Sequence, residues 1–562
     1  MTHINKLLPD AQGGFRKLRG CPELIVTLKE ICEYRRLDNV KTFLAFLDVA
    51  NAFPSTWRSG MFAKLFEKLG NNRTTRLIYE LYANDCCRVA IQNVESEMWK
   101  TTDGVKTGDP LSPLLFIVYF SDLITELNDS GCGVQINGVR IPAFFFADDV
   151  VLLAGTSEEL QQSLDVATRF ANKWRFVFNT KKGKSDALVY GRNDTDPRLS
   201  WQLGGSTIEE ADSYKYLGVI FDMDNAWKSD LEATLKKARQ RLGNCLHAGM
   251  GNYFDLKQSR VIAGLGILPL IEYNSAAWGG SSHAKKLLTF WNQVCRKAAG
   301  VHGFASAAVT RAITGLPQLK ARWAASQAKF LFRILGMPHD RLVAHVFKAR
   351  AEQYHGALPY KKKSFWLHEV IGSLQYLDLP YEITPGRQGY IGDIEANDWK
   401  KNVAKGVWAA ERRELQEAAE AIGLSNEIID EIQKGGLRKE ITFLPKAQRS
   451  ILLQLVGGSL PVQACRQSCK GERVGGWSAD EVCILCKATN ETIFHFLFEC
   501  PRLRHYRATL RTLSTLDKKE FESELLKAKP ELLQDVVRLW VQRRKIILQD
   551  PNNAKFIKKL ML

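Results

Sequence analysis

Two adjacent aspartates, Asp148 and Asp149, interrupt an otherwise apolar stretch at residues 141–153. Carboxylates are rarely buried without a partner, and a divalent cation is one partner that makes such burial tolerable. The pattern therefore predicts a buried β-hairpin that carries a metal site. The alternative is an acidic hairpin turn that only connects two apolar strands.

A third aspartate, Asp48, ends the apolar run at residues 43–47. Two such strands lying side by side would bring Asp48 and Asp148 to the same ions. Mg²⁺ is usually held by one or two carboxylates and the phosphates of a substrate. Two such ions stabilise the attacking and leaving oxygens of an in-line displacement, so the aspartates predict nucleotidyl transfer.

Between these acids lies a turn rich in glycine and proline, residues 104–113, which leads into an apolar stretch at residues 114–123. Proline with a neighbouring Asp or Ser is a helix-start signal. We expect the loop to let the backbone approach a nucleotide and the following helix to pack under the sheet. A plain loop with a helix cap is the alternative.

Taken in order, these motifs resemble the palm of a reverse transcriptase, and the closest likeness is to non-LTR (LINE-type) retrotransposon enzymes. Six segments carry the resemblance: a fingers-side motif, the first catalytic motif, the nucleotide loop, the Phe-Ala-Asp-Asp hairpin, a lysine-containing motif and a primer grip. They lie at residues 12–20, 46–53, 104–113, 144–149, 179–190 and 214–218.

The resemblance implies that Asp48 and Asp148 bind two catalytic Mg²⁺ ions, with Asp149 beside them, and that deoxynucleoside triphosphates are the substrate. Lys184 matches the lysine that the family places near the departing pyrophosphate, where a cation can neutralise charge or donate a proton. Lys182 is a competitor, because the Lys-Lys-Gly-Lys run leaves the register open, and a solvated turn lysine is the alternative for either.

The resemblance also implies contacts to the incoming nucleotide and the primer. Phe53 would exclude the ribose 2′-hydroxyl, the group by which proteins distinguish RNA from DNA. The other expected nucleotide contacts are Arg16, Thr107 and Gly108, and the primer grip would be Tyr216, Leu217 and Gly218. A tyrosine-flanked strand and turn explain the last three residues nearly as well.

Two positions depart from the family pattern. Pro54 stands where many relatives carry Asp or Asn; it removes a backbone donor but is tolerated at a strand end. Thr107 stands where most carry Gln, and it cannot offer an amide to the nucleotide. We therefore expect altered nucleotide affinity or fidelity.

The resemblance begins only at residue 12, so we expect partial fingers and an N-terminally truncated or degenerate element, or a gene model begun at an internal Met. Eleven residues precede the first motif and 62 follow Cys500. These lengths are too short for the endonuclease of autonomous relatives, so target nicking is expected to come from another protein.

The composition favours a polyanionic partner. Lys and Arg outnumber Asp and Glu by 78 to 61, a formal net charge of +17, and such a surplus supports contact with phosphates. A basic surface without such a partner is the alternative. Since no apolar run of membrane-spanning length or signal peptide is present, we expect a soluble intracellular protein with no membrane partner. The resemblance implies the nucleus, and also the cytoplasm when bound to RNA.

A second, independent motif lies near the C-terminus, with two, eight and four residues between its members. It consists of Cys483, Cys486, His495 and Cys500. This spacing suits one structural Zn²⁺ in a closed tetrahedral site, and it resembles the C-terminal zinc knuckle of the same family. Cysteines packed as small apolar residues are the alternative, and Cys465 and Cys469 are expected to be bystanders.

Helical apolar spacing dominates the chain after residue 227. We therefore expect an α+β fold in which an antiparallel palm sheet is backed by helices. The predicted divisions are partial fingers at 1–40, palm at 41–222, helical thumb at 223–348, helical connection or linker at 349–455, zinc-knuckle region at 456–515 and a basic helical tail at 516–562.

The predicted function is RNA-directed DNA synthesis. Template RNA would direct the joining of a primer 3′-hydroxyl to a deoxynucleotide, and by resemblance the primer would be nicked target DNA. The alternative is a catalytically inactive nucleic-acid-binding remnant of such an element.

Overall fold

The computed structural model describes most of the chain. The described residues are 8–193, 195–224, 227–251, 254–301, 303, 305–338, 340–357, 365–380, 395–421, 426–434, 444, 446–456, 483, 485–487, 493–527 and 529–549. Cys465 and Cys469 lie outside them, as do residues 358–364 and 381–394 of the predicted helical connection or linker.

The first 222 residues supply all of the strands in the described chain. The helices are α1 Cys21–Leu37, α2 Arg58–Leu69, α3 Arg73–Ala83, α4 Ser112–Phe120, α5 Asp122–Asp129 and α6 Ser157–Trp174. The strands are β1 Thr42–Leu47, β2 Cys86–Cys87, β3 Ala90–Ile91, β4 Val94–Glu95, β5 Trp99–Lys100, β6 Val134–Ile136, β7 Val139–Ile141, β8 Ala143–Phe146, β9 Asp149–Ala154, β10 Asp186–Tyr190, β11 Ser200–Leu203, β12 Ser206–Glu209, β13 Ser213–Tyr216 and β14 Val219–Asp222.

A four-stranded antiparallel sheet lies at the centre, in the order β10-β1-β9-β8. Every residue of β1 is buried, and its side chains alternate between two cores. Leu44 and Phe46 join one core, whereas Phe43, Ala45 and Leu47 join the other. Because successive side chains point to opposite faces of a sheet, this alternation means that both faces are covered.

Different parts of the chain cover the two faces. The apolar helix α4 and helix α6 belong to the core on the Phe43 side. The core on the Phe46 side includes α1 and continues into helices beyond residue 319. The predicted sheet backed by helices is therefore present, and the hairpin of β8 and β9 is the one expected from the Phe-Ala-Asp-Asp motif.

The segment predicted as partial fingers packs directly on the palm. Gln12 forms a parallel bridge with Phe145, at the outer edge of β8. Helix α1 lies in the core below the sheet, and its Glu30 pairs with Arg350 at 2.7 Å between Oε2 and Nε. The described part of residues 1–40 thus packs against the central sheet and shares a core with it.

After residue 222 the described chain is helical. Its helices are α7 Lys228–His247, α8 Leu256–Gly266, α9 Leu268–Glu272, α10 Ser275–Trp278, α11 Lys285–Ala299, α12 Ala307–Thr314, α13 Leu319–Leu335, α14 Leu342–Gly356, α15 Trp366–Tyr376, α16 Ala396–Glu420, α17 Asn426–Lys434, α18 Lys446–Val456, α19 Arg504–Arg507, α20 Lys518–Leu526 and α21 Pro530–Gln549. Short 3-10 turns occur at Ser282–Ala284, Pro501–Leu503 and Leu513–Thr515, and a π-helical turn at His495–Glu499. No helix in the described ranges has the length and apolarity needed to cross a bilayer.

Helices from several of the predicted divisions contribute to one core in the C-terminal part of the chain. One hydrophobic core contains the buried Cys483 and Cys500, Leu452 of α18, Leu532 of α21 and Val309 of α12. The predicted zinc-knuckle region and basic tail therefore share their core with helices assigned to the thumb and connection. The reason is that α21 has an apolar face that must be buried against neighbours.

This shared core predicts different effects for two leucine truncations. Leu452 is fully buried, and its replacement in L452A leaves a cavity that should cost about 2–5 kcal/mol of local stability. The matched variant L265A removes a leucine that is 77% exposed, and should leave stability nearly unchanged. Urea denaturation followed by tryptophan fluorescence measures both. Equal midpoints for the two variants would contradict the packing of α18 in this core.

Candidate active site

The three aspartates meet at one end of the central sheet. Leu47 pairs with Val150 across β1 and β9. Because the strands are antiparallel, Asp48, which follows Leu47, lies beside Asp149, which precedes Val150. Asp149 pairs with Phe146 across the hairpin, and Asp148 lies in the turn between them. The antiparallel register thus brings residues that are 100 positions apart in sequence to the same end of the sheet.

Asp48 is held from the side of the neighbouring β10 segment. Its backbone N–H donates to Ser185 Oγ at 3.1 Å, and its carbonyl accepts from the Asn179 backbone N–H at 2.7 Å. Asn179 Nδ2 also donates to Asp48 Oδ2 at 3.1 Å. Asn179 and Ser185 lie within the lysine-containing motif at residues 179–190, but the sequence alone does not indicate that they orient Asp48.

The electrostatics of the aspartates reflect their crowding. Burial raises the pKa of Asp148, and the charge of Asp48 raises it further. Burial together with the charges of Asp148 and Asp48 raises the pKa of Asp149 to about 6, against a smaller lowering by Lys184. Negative charge is therefore in excess here, as expected of a site that accepts a cation.

Lys184 is the lysine that reaches this site. Its Nζ lies 3.7 Å from Asp48 Oδ2, whereas the charge of Lys182 acts on Asp186. A tight turn holds Lys184, since its N–H donates to the Lys181 carbonyl at 2.9 Å. The structure thus distinguishes two lysines that the sequence left as alternatives.

The expected nucleotide side of the site is built around Phe53. Its ring packs against Phe116 and Phe15, with centroids 5.5 and 6.5 Å apart. Val105 N–H donates to the Phe53 carbonyl at 2.9 Å, and Gly104, at φ +82°, comes so close to Pro54 that an added Cβ would lie 2.8 Å from its carbonyl oxygen. The loop that follows is therefore tied to the Phe53 segment.

The remaining expected nucleotide contacts differ in their surroundings. Thr107 and Gly108 are exposed on the loop. Arg16 is half-buried, and its Nη1 donates to the carbonyls of Pro9 and Gln12 at 2.6 and 3.1 Å. The Arg16 guanidinium thus stabilises the N-terminal segment, residues 9–16, through hydrogen bonds to its backbone.

The predicted primer grip is only partly at the surface. Tyr216 is 2% exposed, and its hydroxyl has no hydrogen-bond partner among the described residues. Leu217 adopts φ +47°, Gly218 is exposed, and the Leu217 carbonyl accepts from Tyr273 Oη at 2.7 Å. Tyr273 was missed by sequence reasoning, because nothing local links it to a turn 56 positions away.

The four C-terminal ligand candidates converge. Their ligand atoms all lie within 4.8 Å of one another, with Cys483 Sγ and Cys500 Sγ 3.8 Å apart and Cys486 Sγ 3.3 Å from His495 Nε2. Tetrahedral Zn²⁺ with bonds of about 2.3 Å separates two sulfurs by about 3.8 Å. Within the described ranges this is the one group of three or more such residues drawn together so closely.

The family comparison agrees with the geometry. The model for reverse transcriptase (RNA-dependent DNA polymerase) matches residues 1–221, the span that holds the sheet and the three aspartates. These residues are therefore similar to a reverse transcriptase domain. Their relatives include polymerases of retrotransposable elements.

Two relatives show this likeness. The retrovirus-related Pol polyprotein from type-1 retrotransposable element R2 of Nasonia vitripennis is 28% identical over 223 residues, which are 38% of this chain and 22% of that protein. The RNA-directed DNA polymerase from mobile element jockey of Drosophila melanogaster is 26% identical over 226 residues, 39% of this chain and 24% of that protein. The chain thus spans about a quarter of the length of these relatives.

Among solved structures, telomerase from Candida albicans in complex with a TWJ fragment of telomeric RNA is 12% identical. The likeness covers 62% of this chain and 57% of that chain, with a TM-score of 0.25. So low a TM-score adds nothing to the assignment.

The crowding of the aspartates predicts how stability depends on pH. In the folded state Asp149 has a pKa near 6 instead of 3.8, so its protonated form favours folding. The stabilisation of the folded state by protonation of Asp149 is complete below pH 3.8, and it is lost as the pH rises through about 6. Without divalent cations, D149N should therefore melt higher than the wild type above pH 6. The difference should shrink as the pH falls.

Melting temperatures measured in a chelating buffer at a series of pH values test this expectation. The control is D103N, which neutralises an exposed aspartate in the loop before Gly104. An equal gain in D103N would show that crowding at the sheet end is not the cause.

Proposed function

We propose that this chain is an RNA-directed DNA polymerase that copies template RNA into DNA by extending a primer 3′-hydroxyl. The observation that carries the proposal is the meeting of Asp48 with Asp148 and Asp149 at the end of the sheet, inside a reverse transcriptase domain. Nicked target DNA as primer, and the nucleus as location, belong to the same proposal through the resemblance.

Asp48 and Asp148, with Asp149 beside them, are the residues that would hold two Mg²⁺ ions. Carboxylate oxygens are the donors that Mg²⁺ prefers, and the raised pKa values of Asp148 and Asp149 indicate negative charge that a cation would relieve. When bound, such ions neutralise charge on the attacking and leaving oxygens of the displacement.

The chain's own side chains supply the rest of the mechanism. Asn179 and Ser185 fix the orientation of Asp48 through both its backbone and its carboxylate. Lys184, next to Asp48, is placed to neutralise charge on the departing pyrophosphate or to give it a proton. Its present pairing with Asp48 would be exchanged for the substrate phosphates.

The Phe53 ring and the loop after Gly104 form the wall of the proposed nucleotide site. Phe53 packs between two other phenyl rings, which restrict its movement. Its ring would therefore clash with a ribose 2′-hydroxyl and favour deoxynucleotides. Thr107 and Gly108 are exposed on this loop and would contact the triphosphate. Leu217 and Gly218, held by Tyr273, would support the primer end.

Primer extension tests the proposal directly. The assay uses a DNA primer annealed to an RNA template, with Mg²⁺ and deoxynucleotides. D148N keeps the side-chain volume but removes the charge, and is expected to lose roughly 10³-fold in rate, since such stabilisation is worth several kcal/mol. The D103N control should extend the primer at the wild-type rate.

Template binding is measured in parallel. D148N should retain the RNA affinity of the wild type, because the basic surface is unchanged. If the wild type and D148N are equally inert while both bind RNA, the polymerase proposal fails and the chain is a nucleic-acid-binding remnant.

We further propose that the C-terminal cluster holds one structural Zn²⁺. Three thiolates and one imidazole are the donor set of closed structural zinc sites, and their spacing in the structure suits a tetrahedral ion. His495 Nδ1 lies 3.7 Å from Glu499, and such an outer partner orients a ligating imidazole. Since the cluster lies in a core with α12 and α21, the ion would brace the C-terminal helices.

Metal analysis of the purified protein tests the zinc site. The wild type should contain about one Zn²⁺ per chain, and C500S about none, with a lower melting temperature. The matched control C87S alters an exposed cysteine and should keep both values. Full zinc occupancy in C500S would place the ion elsewhere.

A further inference from the structure

The residue before the catalytic pair has an unusual backbone. Ala147 adopts φ +59°, in the left-handed region where a side chain is disfavoured. It is nevertheless only 4% exposed, so its peptide groups need partners inside the protein. Because Asp148 follows directly, the direction of its carboxylate depends on what holds Ala147 in place.

Gln12 supplies these partners. Its Oε1 accepts from the Ala147 backbone N–H at 2.9 Å, and its Nε2 donates to the Ala147 carbonyl at 3.4 Å. The same Oε1 accepts from the Gly14 N–H at 2.8 Å, which fixes the side chain from its own segment. Gln12 is fully buried, and an amide is the side chain that can both accept and donate here.

Neighbouring backbone contacts set the register of Gln12. Gly13 N–H donates to the Phe145 carbonyl at 2.7 Å, and Phe145 N–H donates to the Ala11 carbonyl at 2.9 Å. A Cβ on Gly14 would lie only 2.2 Å from the Ala147 nitrogen, so glycine is needed for the close approach. Residues 11–14 therefore pack closely against the hairpin turn at Ala147.

The other end of the segment is anchored in the helical region. Asp10 Oδ2 accepts from the Leu342 backbone N–H at 2.8 Å, and its Oδ1 lies 2.9 Å from Arg341 Nε and 2.6 Å from Arg19 Nη2. The N-terminal segment thus connects the start of α14 to the hairpin turn. Asp10 fixes one end of this connection and Gln12 fixes the other.

We propose that Gln12 is a positioning residue that holds the Ala147–Asp148 turn in the conformation required for catalysis. It acts through Ala147 on the direction of the Asp148 carboxylate, without itself contacting the reacting atoms. The catalytic part of the inference rests on the proposed polymerase function, whereas the structural part does not.

The experiment compares Q12M with Q327M. Both substitutions replace a fully buried glutamine by an apolar side chain of similar size. Gln327 lies in α13, where it accepts from Ser373 Oγ at 2.6 Å, so Q327M controls for the loss of one buried hydrogen-bonding glutamine. Amide hydrogen exchange at Ala147 is measured in both variants without divalent cations.

In Q12M the Ala147 amide should exchange faster by roughly fivefold or more, the effect of losing one buried hydrogen bond. In Q327M its exchange should match the wild type. Unchanged exchange in Q12M would overturn the proposal whether or not the protein polymerises, so its failure is distinct from failure of the proposed function.

Primer extension adds the catalytic measurement. Q12M should lower kcat by roughly 10²-fold, since a misplacement of about 1 Å can cost that much. KM for deoxynucleotide, RNA affinity and melting temperature should stay close to those of Q327M. An equal loss of kcat in the two variants would reduce Gln12 to a structural role. A rise in KM with unchanged kcat would show that it serves nucleotide binding instead.

Discussion

The mutual repulsion of three carboxylates at one end of a buried sheet is the constraint on which the rest of this structure depends. Burial raises the pKa values of Asp148 and Asp149, and the charges of the neighbouring aspartates raise them further. A protein tolerates such an arrangement only if its scaffold holds the groups in place. Here the scaffold consists of the strand register, the Asn179 and Ser185 hydrogen bonds to Asp48, and the Gln12 contacts at Ala147.

The register itself is secured by burial on both faces of the sheet. A shift of β1 by one residue would exchange Leu44 and Phe46 with Phe43 and Ala45, because side chains alternate with a period of two. Phe46 could then no longer stack on Tyr214, whose ring lies 4.5 Å away. Tyr214 in turn donates from its hydroxyl to the Lys184 carbonyl at 2.5 Å. Core packing therefore fixes where Asp48 and Lys184 stand.

Local patterns predicted the palm well and long-range contacts poorly. The apolar runs and the acids beside them were enough to predict the hairpin and strand β1, because each of these patterns is local. The pairing of β1 with β9 is long-range, and it was expected only because Asp48 and Asp148 would share ions. The contact of Gln12 with Ala147 joins positions 135 apart and leaves no periodic signal. The burial of Tyr216 and the core that α12 shares with Cys483 and Cys500 were missed for the same reason. The role assigned to Arg16 stays a prediction.

The anchor between Asp10 and Leu342 has a consequence for biosynthesis, since the two residues are 332 positions apart. The hairpin of β8 and β9 leaves the ribosome long before α14 exists. At roughly 5–20 residues per second, the nascent palm waits about ten to forty seconds for the backbone group that secures its first segment. During that interval the first segment lacks the Asp10 contact with α14, so the site around the aspartates reaches its final packing late in translation.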